Sequence, residues 1–127
     1  MSWDRVERLL GEGTLAYLRE RTVGIIGLGS GGSFAAVALA MSGVGRFILI
    51  DDDVLEPANV VRHAADRRYV GQTKAAAVAD LIYQRNPDAF VESIHGRIED
   101  HLEKLAEMDL VVVGVDAERP KYAINQA

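Results

Sequence analysis

Thr22-Val23-Gly24-Ile25-Ile26-Gly27-Leu28-Gly29-Ser30-Gly31-Gly32 is the stretch on which the reading of this chain turns. Its first half is a short β-branched run that stops at glycine, as a buried strand does. Its second half, Gly27 to Gly32, fits G-x-G-x-x-G, and an alanine-rich stretch of helical period, Ser33 to Met41, follows. Strand, glycine turn and helix in that order give the turn a physical use. Gly27 permits the tight turn and Gly29 lets backbone approach a phosphate. Gly32 completes the pattern, and the helix N-terminus offers free N–H groups and a positive dipole end to an anion. The bland alternative is that the glycines serve turn and packing alone.

Outward from this unit the alternation continues. Arg46 to Ile50 reads as a second buried strand that ends at Asp51-Asp52-Asp53. Residues 54–72 show little periodicity. Thr73 to Arg85 has strong helix formers at helical spacing and stops at Asn86-Pro87-Asp88. Ala89 to Ile94 is a weaker strand, Ile98 to Ala106 a short helix, and Asp109 to Val115 the clearest buried parallel strand, with a final helix expected to begin near Arg119. Upstream, Trp3, Val6, Leu9, Leu10, Leu15 and Leu18 suggest an amphipathic helical arm over residues 1–21, interrupted at Gly11-Glu12-Gly13.

The expected fold is therefore α/β: a Rossmann-like, doubly wound parallel sheet of about four strands in the order 3-2-1-4 over residues 22–127. The pattern stops just after a strand that reads as buried on both faces, so the sequence reads as the N-terminal part of a longer protein.

With 49% hydrophobic and 26% charged residues, the 127-residue chain has the balance of one small domain with a core, not of a disordered or fibrous protein. A net charge of -5 and no Lys/Arg cluster argue against a nucleic-acid or anionic-membrane partner. The longest apolar run, Phe34 to Met41, is far too short to cross a bilayer, and the mixed charges of Met1 to Arg8 are unlike a signal peptide, so a cytoplasmic protein is expected. The absence of cysteine excludes a disulfide framework, a cysteine zinc site and a cysteine nucleophile within these residues.

Asp51, at the end of the second strand, stands where a carboxylate accepts the hydroxyls of an adenosine ribose. Asp53 is a second candidate, and Asp52 is read as facing solvent. To this point an NAD-dependent oxidoreductase fits as well as an ATP-using enzyme.

The residues beyond Asp53 separate the two. Asp51 to His63, then Val70-Gly71-Gln72-Thr73-Lys74, then Val115-Asp116, resemble the ThiF/MoeB/HesA-type adenylating enzymes related to ubiquitin-activating enzymes. The family's D-x-D-x-V-x-x-S-N-L-x-R-Q stretch is matched at Asp51, Asp53, Asn59 and Arg62, its G-x-P-K at Gly71 and Lys74, and its T-D-N at Asp116. The resemblance implies that Asp51 holds the ribose, that Asn59, Arg62 and Lys74 hold the triphosphate of ATP, and that Asp116 holds Mg²⁺. It implies adenylation of the C-terminal glycine carboxylate of a ubiquitin-like or sulfur-carrier protein, with pyrophosphate leaving. It also implies a homodimer in which an arginine of one N-terminal arm reaches the other subunit's phosphates, Arg5 being the better match and Arg8 the next.

The chemistry asks for the same residue types. A carboxylate attacking the α-phosphorus builds negative charge on phosphate oxygens, which preorganised cations stabilise. Each residue also has a plainer reading: Arg62 in a solvated basic group with Arg67 and Arg68, Lys74 as an exposed first-turn residue, Asp116 as a helix cap. Val61 and His63 stand where the family has glutamines, and Ala117 where it has asparagine. His63 is read as a surface loop residue, and His95 and His101 as structural or solvent-facing. A non-catalytic dimerisation or carrier-docking module is the third reading.

Overall fold

The structure is a computed structural model and describes residues 12–114 and 121–124. Three apolar runs form its centre: β1 (Thr22–Ile26), β2 (Arg46–Asp51) and β4 (Leu110–Val113). With β3 (Phe90–His95) they make a parallel sheet in the order β3-β2-β1-β4, the expected one. β1 lies in register between β2 and β4, with Ile26 opposite Ile50 on one side and Val113 on the other. Strands buried on both faces need no alternation of polar residues, which is why β1 and β2 read as continuous apolar runs.

One face is covered by α2 (Ser30–Met41) and α3 (Lys74–Arg85). Ala36 and Ala40 of α2 and Val78 and Ile82 of α3 pack on Val23, Ile25, Phe47, Leu49 and Val112. On the other face Ile48, Ile50 and Met108 pack with Ile94, Ile98 and Leu105. That cover is two 3-10 turns, Ile98–Asp100 and Leu102–Glu107, broken at His101, where the sequence suggested one short helix. Of the N-terminal arm the described part is α1 (Glu12–Arg19), which begins inside the expected glycine break and buries Leu15 against the domain. Among the described residues no helix is long and apolar enough to cross a membrane.

Where a final helix was expected from about Arg119, the chain instead forms β5 (Lys121–Ile124), antiparallel to β4 with Val113 opposite Lys121. The physical reason is the edge itself. β4 would otherwise present a row of unpaired N–H and C=O groups, and a returning strand satisfies them.

The aperiodic stretch 54–72 is an ordered excursion with its own small core. The Leu55 N–H donates to the Gln72 carbonyl at 2.8 Å and the Gly71 N–H to the Leu55 carbonyl at 2.9 Å, which closes its base. Leu55, Ala65 and Tyr69 then pack on Ala77 and Leu81 of α3. The Tyr69 hydroxyl donates to Asp80 at 2.5 Å and accepts from Gln84 at 2.6 Å, which fastens the excursion to α3.

Asn86 ends α3 and is itself buried; its amide donates to the Val44 carbonyl at 3.2 Å and its carbonyl accepts the Asp88 N–H at 3.2 Å. Asn86→Ala leaves that carbonyl without its partner. We predict a loss of about 1–3 kcal/mol in urea unfolding with an unchanged slope. A midpoint within error of the wild type would show that water replaces the amide.

Candidate functional site

The C-terminal ends of β1, β2 and β3 open into one cleft of about 800 Å³, the size of a nucleotide-scale pocket and at the edge where parallel sheets bind ligands. The glycine turn forms its floor. Gly27 has φ +89°, and a Cβ built on it would strike the Gly114 carbonyl, while one on Gly32 would strike the Gly27 carbonyl. Those two glycines are required by backbone packed on backbone. Gly29 differs, since a Cβ there meets nothing within 4 Å. It faces open space in the cleft.

α2 begins at Ser30, three residues before the expected start. Its N-cap is Gly29, and no side chain caps it. The first intrahelical donor is the Ser33 N–H, bonded to the Gly29 carbonyl at 2.9 Å. The N–H groups before it form the orphaned end of a helix, directed toward the cleft that Gly29 and Ser30 line.

Asp51 closes β2 and is half-buried. One carboxylate oxygen accepts the Leu28 N–H at 2.6 Å and the other the Asp53 N–H at 2.7 Å, so the group braces the glycine turn. Asp52 and Asp53 are exposed. Lys74, the first residue of α3, keeps only 11% of its side chain exposed and pairs with Asp53 at 3.5 Å. It is thus a sheltered cation at the cleft wall, not the solvated first-turn residue of the plainer reading. Thr73 caps α3 by accepting the Ala76 N–H at 3.1 Å, which fixes where Lys74 starts.

The excursion delivers the remaining groups through a 3-10 turn, Pro57–Arg62. The Asn59 side-chain oxygen accepts the Glu56 N–H at 2.9 Å, so Asn59 builds the turn as well as lining the cleft. Arg62 is exposed at its end and also lines the cleft. Of the other arginines in its supposed basic group, Arg68 is paired with Asp66 at 2.9 Å.

His63 is a correction: it is 7% exposed, not a surface residue. The sequence signal that points to it is its place beside Arg62, where the related motif has a polar side chain. Sequence reasoning also missed Ser30, Arg97, Ile98 and Glu99, which line the cleft from the glycine turn and from beyond β3. The available signal was the rule that loops after parallel strands build the site. Arg97 and Glu99 pair with each other at 3.0 Å.

Asp116 and Arg5 lie outside the described residues. A magnesium ion takes hard oxygen donors, and carboxylate oxygens of Asp51, Asp52 and Asp53 lie within 4.8 Å of one another. Asp51 is occupied with backbone N–H groups and Asp53 with Lys74. Each of these carboxylates keeps further lone pairs, so the cluster has the donor chemistry that magnesium takes, and Asp116, the residue expected to hold the ion, lies outside the described residues.

Residues 4–127 match the ThiF family. The ubiquitin-like modifier-activating enzyme 5 of Arabidopsis thaliana is 34% identical over 128 residues, covering 87% of this chain and 30% of that protein. The crystal structure of the Escherichia coli tRNA N6-threonylcarbamoyladenosine dehydratase, TcdA, in complex with ATP superposes with a TM-score of 0.83 at 30% identity, over 92% of this chain and 50% of the other. That of E. coli MccB with ATP gives 0.72 at 32% identity, over 82% and 32%. The chain thus spans half or less of the length of the relatives it matches, and 30% to 50% of these three.

Proposed function

The chain belongs to the ThiF family, and from that premise we propose that it is the ATP-binding part of an enzyme that transfers AMP to a carboxylate, releasing pyrophosphate. We infer further that the carboxylate is that of the C-terminal glycine of a ubiquitin-like or sulfur-carrier protein. One observation carries the reading: Gly29, Asp51, Asn59, Arg62 and Lys74, from three separate stretches of sequence, line a single cleft. An NAD-dependent dehydrogenase needs the first two and leaves the other three without work.

In the proposed step a carboxylate oxygen attacks the α-phosphorus of ATP, the bond to the bridging α–β oxygen breaks, and pyrophosphate departs with that electron pair. The product is a mixed acyl–AMP anhydride. Asp51 accepts from the ribose hydroxyls through lone pairs its two backbone donors leave free. The open face of Gly29 and the first N–H groups of α2 receive phosphate oxygens. Arg62 takes two oxygens in its planar fork, and Lys74 supplies a compact charge beside them. No side chain acts as nucleophile, because the substrate brings its own carboxylate.

The cleft is lined by Asp51, Asp52, Asp53 and Glu99 against Arg62, Lys74 and Arg97. A triphosphate entering it gains little net attraction unless further positive charge comes with it. That favours magnesium, held by Asp116, and an arm arginine such as Arg5 from a second copy. Magnesium supplies neutralisation of the charge developing on the phosphates.

The test is thermal unfolding with ATP, with and without magnesium, and with NAD at equal concentration. A ligand at 100 times its Kd stabilises by about 2.7 kcal/mol, several degrees in a domain this size. We expect the shift with Mg-ATP and less than half of it when EDTA is added. Adding a ubiquitin-like protein that ends in glycine should then start exchange of labelled pyrophosphate into ATP. A shift with NAD alone overturns the reading.

A further inference from the structure

The two residues after Arg62 are tied to the glycine turn and the helix it opens, and the third is tied to the first of them. His63 Nε2 lies 2.7 Å from the Leu28 carbonyl. The Ala64 N–H donates to Ser33 Oγ at 3.1 Å, and that hydroxyl donates in turn to the Ser30 carbonyl at 3.1 Å. The Ala65 N–H donates to His63 Nδ1 at 2.9 Å. These contacts assign the ring's protons. A carbonyl only accepts, so Nε2 carries the hydrogen; a backbone N–H only donates, so Nδ1 offers a lone pair. Both bonds exist together in the neutral Nε2–H ring alone.

We propose that His63 is a positioning residue: neutral, it latches the segment that carries Arg62 to the glycine turn, and its protonation loosens that segment and weakens ATP binding. This rests on the nucleotide reading above. A proton on Nδ1 would face the Ala65 N–H, so the charged ring loses one bond and gains a repulsion.

Burial pushes the imidazole below its ordinary value of 6.5, and the nearby Lys74 charge pushes the same way, against the Leu28 carbonyl and Asp51. The charged groups facing the ring are thus Lys74 from the start of α3 and Asp51 from the end of β2, with Arg62 beside it in sequence. The sign follows from the lowered value. The unfolded chain binds this proton more readily, so the latch is complete above about pH 6.5 and is lost as the pH falls through the lower, folded value.

The test is calorimetry of ATP binding to the full chain and its variants between pH 7.5 and 5.5. His63→Gln supplies one amide donor and one carbonyl acceptor and does not titrate. We expect it to bind ATP at pH 7.5 within about threefold of the wild type, whereas His63→Ala binds about tenfold more weakly. On acidification the wild type should lose several-fold more affinity than His63→Gln, short of tenfold at pH 5.5 because the folded value lies below 6.5, the titration of ATP itself being common to both. A purely structural histidine would not separate the two slopes. Parallel slopes overturn the proposal. If neither protein binds ATP at any pH, the nucleotide reading fails and the ring's nitrogen chemical shifts decide the latch. A neutral Nε2–H ring persisting below pH 6 upholds it, and a ring titrating as free imidazole overturns it.

Discussion

Alanine at Gly32 is expected to cost the fold about 3 kcal/mol, whereas alanine at Gly29 should leave the chain folded and deprive it of ATP. In an ordinary helix the Gly→Ala change stabilises by about 0.5–1 kcal/mol, because it removes backbone freedom from the unfolded chain. At Gly32 that gain is overturned. The new methyl strikes the Gly27 carbonyl and lies 3.5 Å from the Ile25 side chain. Neither α2 nor the turn can move aside, since the Gly27 N–H is bonded to the Ile50 carbonyl at 2.9 Å and Gly27 itself stands against Gly114. Overpacking of this kind costs roughly 1–3 kcal/mol, and here the obstacle is backbone, which puts the effect at the upper end.

Gly29 has φ -75°, open to any residue, and no neighbour for the new methyl. Its stability should stay within about 0.5 kcal/mol. The methyl does occupy the open space of the cleft beside the start of α2, through which the proposed phosphate would reach it. Losing one or two charge-assisted hydrogen bonds at about 1.5–3 kcal/mol each lowers ATP affinity ten- to a hundredfold or more. Urea unfolding and ATP calorimetry on both variants check the pair. An unaltered ATP affinity in Gly29→Ala would remove the glycine turn from the phosphate site.

The parallel core was legible because its signals are local and strong: Val23 to Ile26, Phe47 to Ile50 and Leu110 to Val113 are short apolar runs rich in β-branched residues, which read as buried parallel strands. The start of α2 was not. Ser30, Gly31 and Gly32 have poor helix propensity, and the close approach of Gly32 to Gly27, which requires a glycine there, is something no periodicity reveals. The excursion 54–72 escaped the reading for a related reason. Its 3-10 turns are set by local caps at Asn59 and Asp66 and by the base pairing of Leu55 with Gln72, none of which repeats along the chain. His63 was misplaced because burial of a polar loop residue depends on a carbonyl 35 positions away. β5 was misread because the demand it answers belongs to β4, not to its own residues. Asp51, Asn59, Arg62 and Lys74 were named from sequence and stand around one cleft; how three of them are held, Asp51 by Leu28, Asn59 by Glu56 and Lys74 by Asp53, is visible only in the fold.

The largest effects on activity are expected at Arg62 and Lys74, and the structure separates their costs. Arg62 is exposed, so Arg62→Ala should change stability by less than about 0.5 kcal/mol while lowering the rate of pyrophosphate exchange by a factor of about 10²–10³. Arg62→Lys should recover little of it, because a lysine cannot bridge two oxygens from one fixed plane. Lys74 is sheltered, and its partner Asp53 is 65% exposed. Removing the lysine therefore strands no buried carboxylate, and Lys74→Met, which retains most of the stem, should cost under about 1 kcal/mol. Its exchange rate should fall as far as that of Arg62→Ala. On the proposed function the two cations act on one developing charge, and the double variant should then fall short of the product of the single losses. Exchange within threefold of wild type in either single variant would take that residue out of the machinery. A fully multiplicative double variant would show that the two cations act independently of each other.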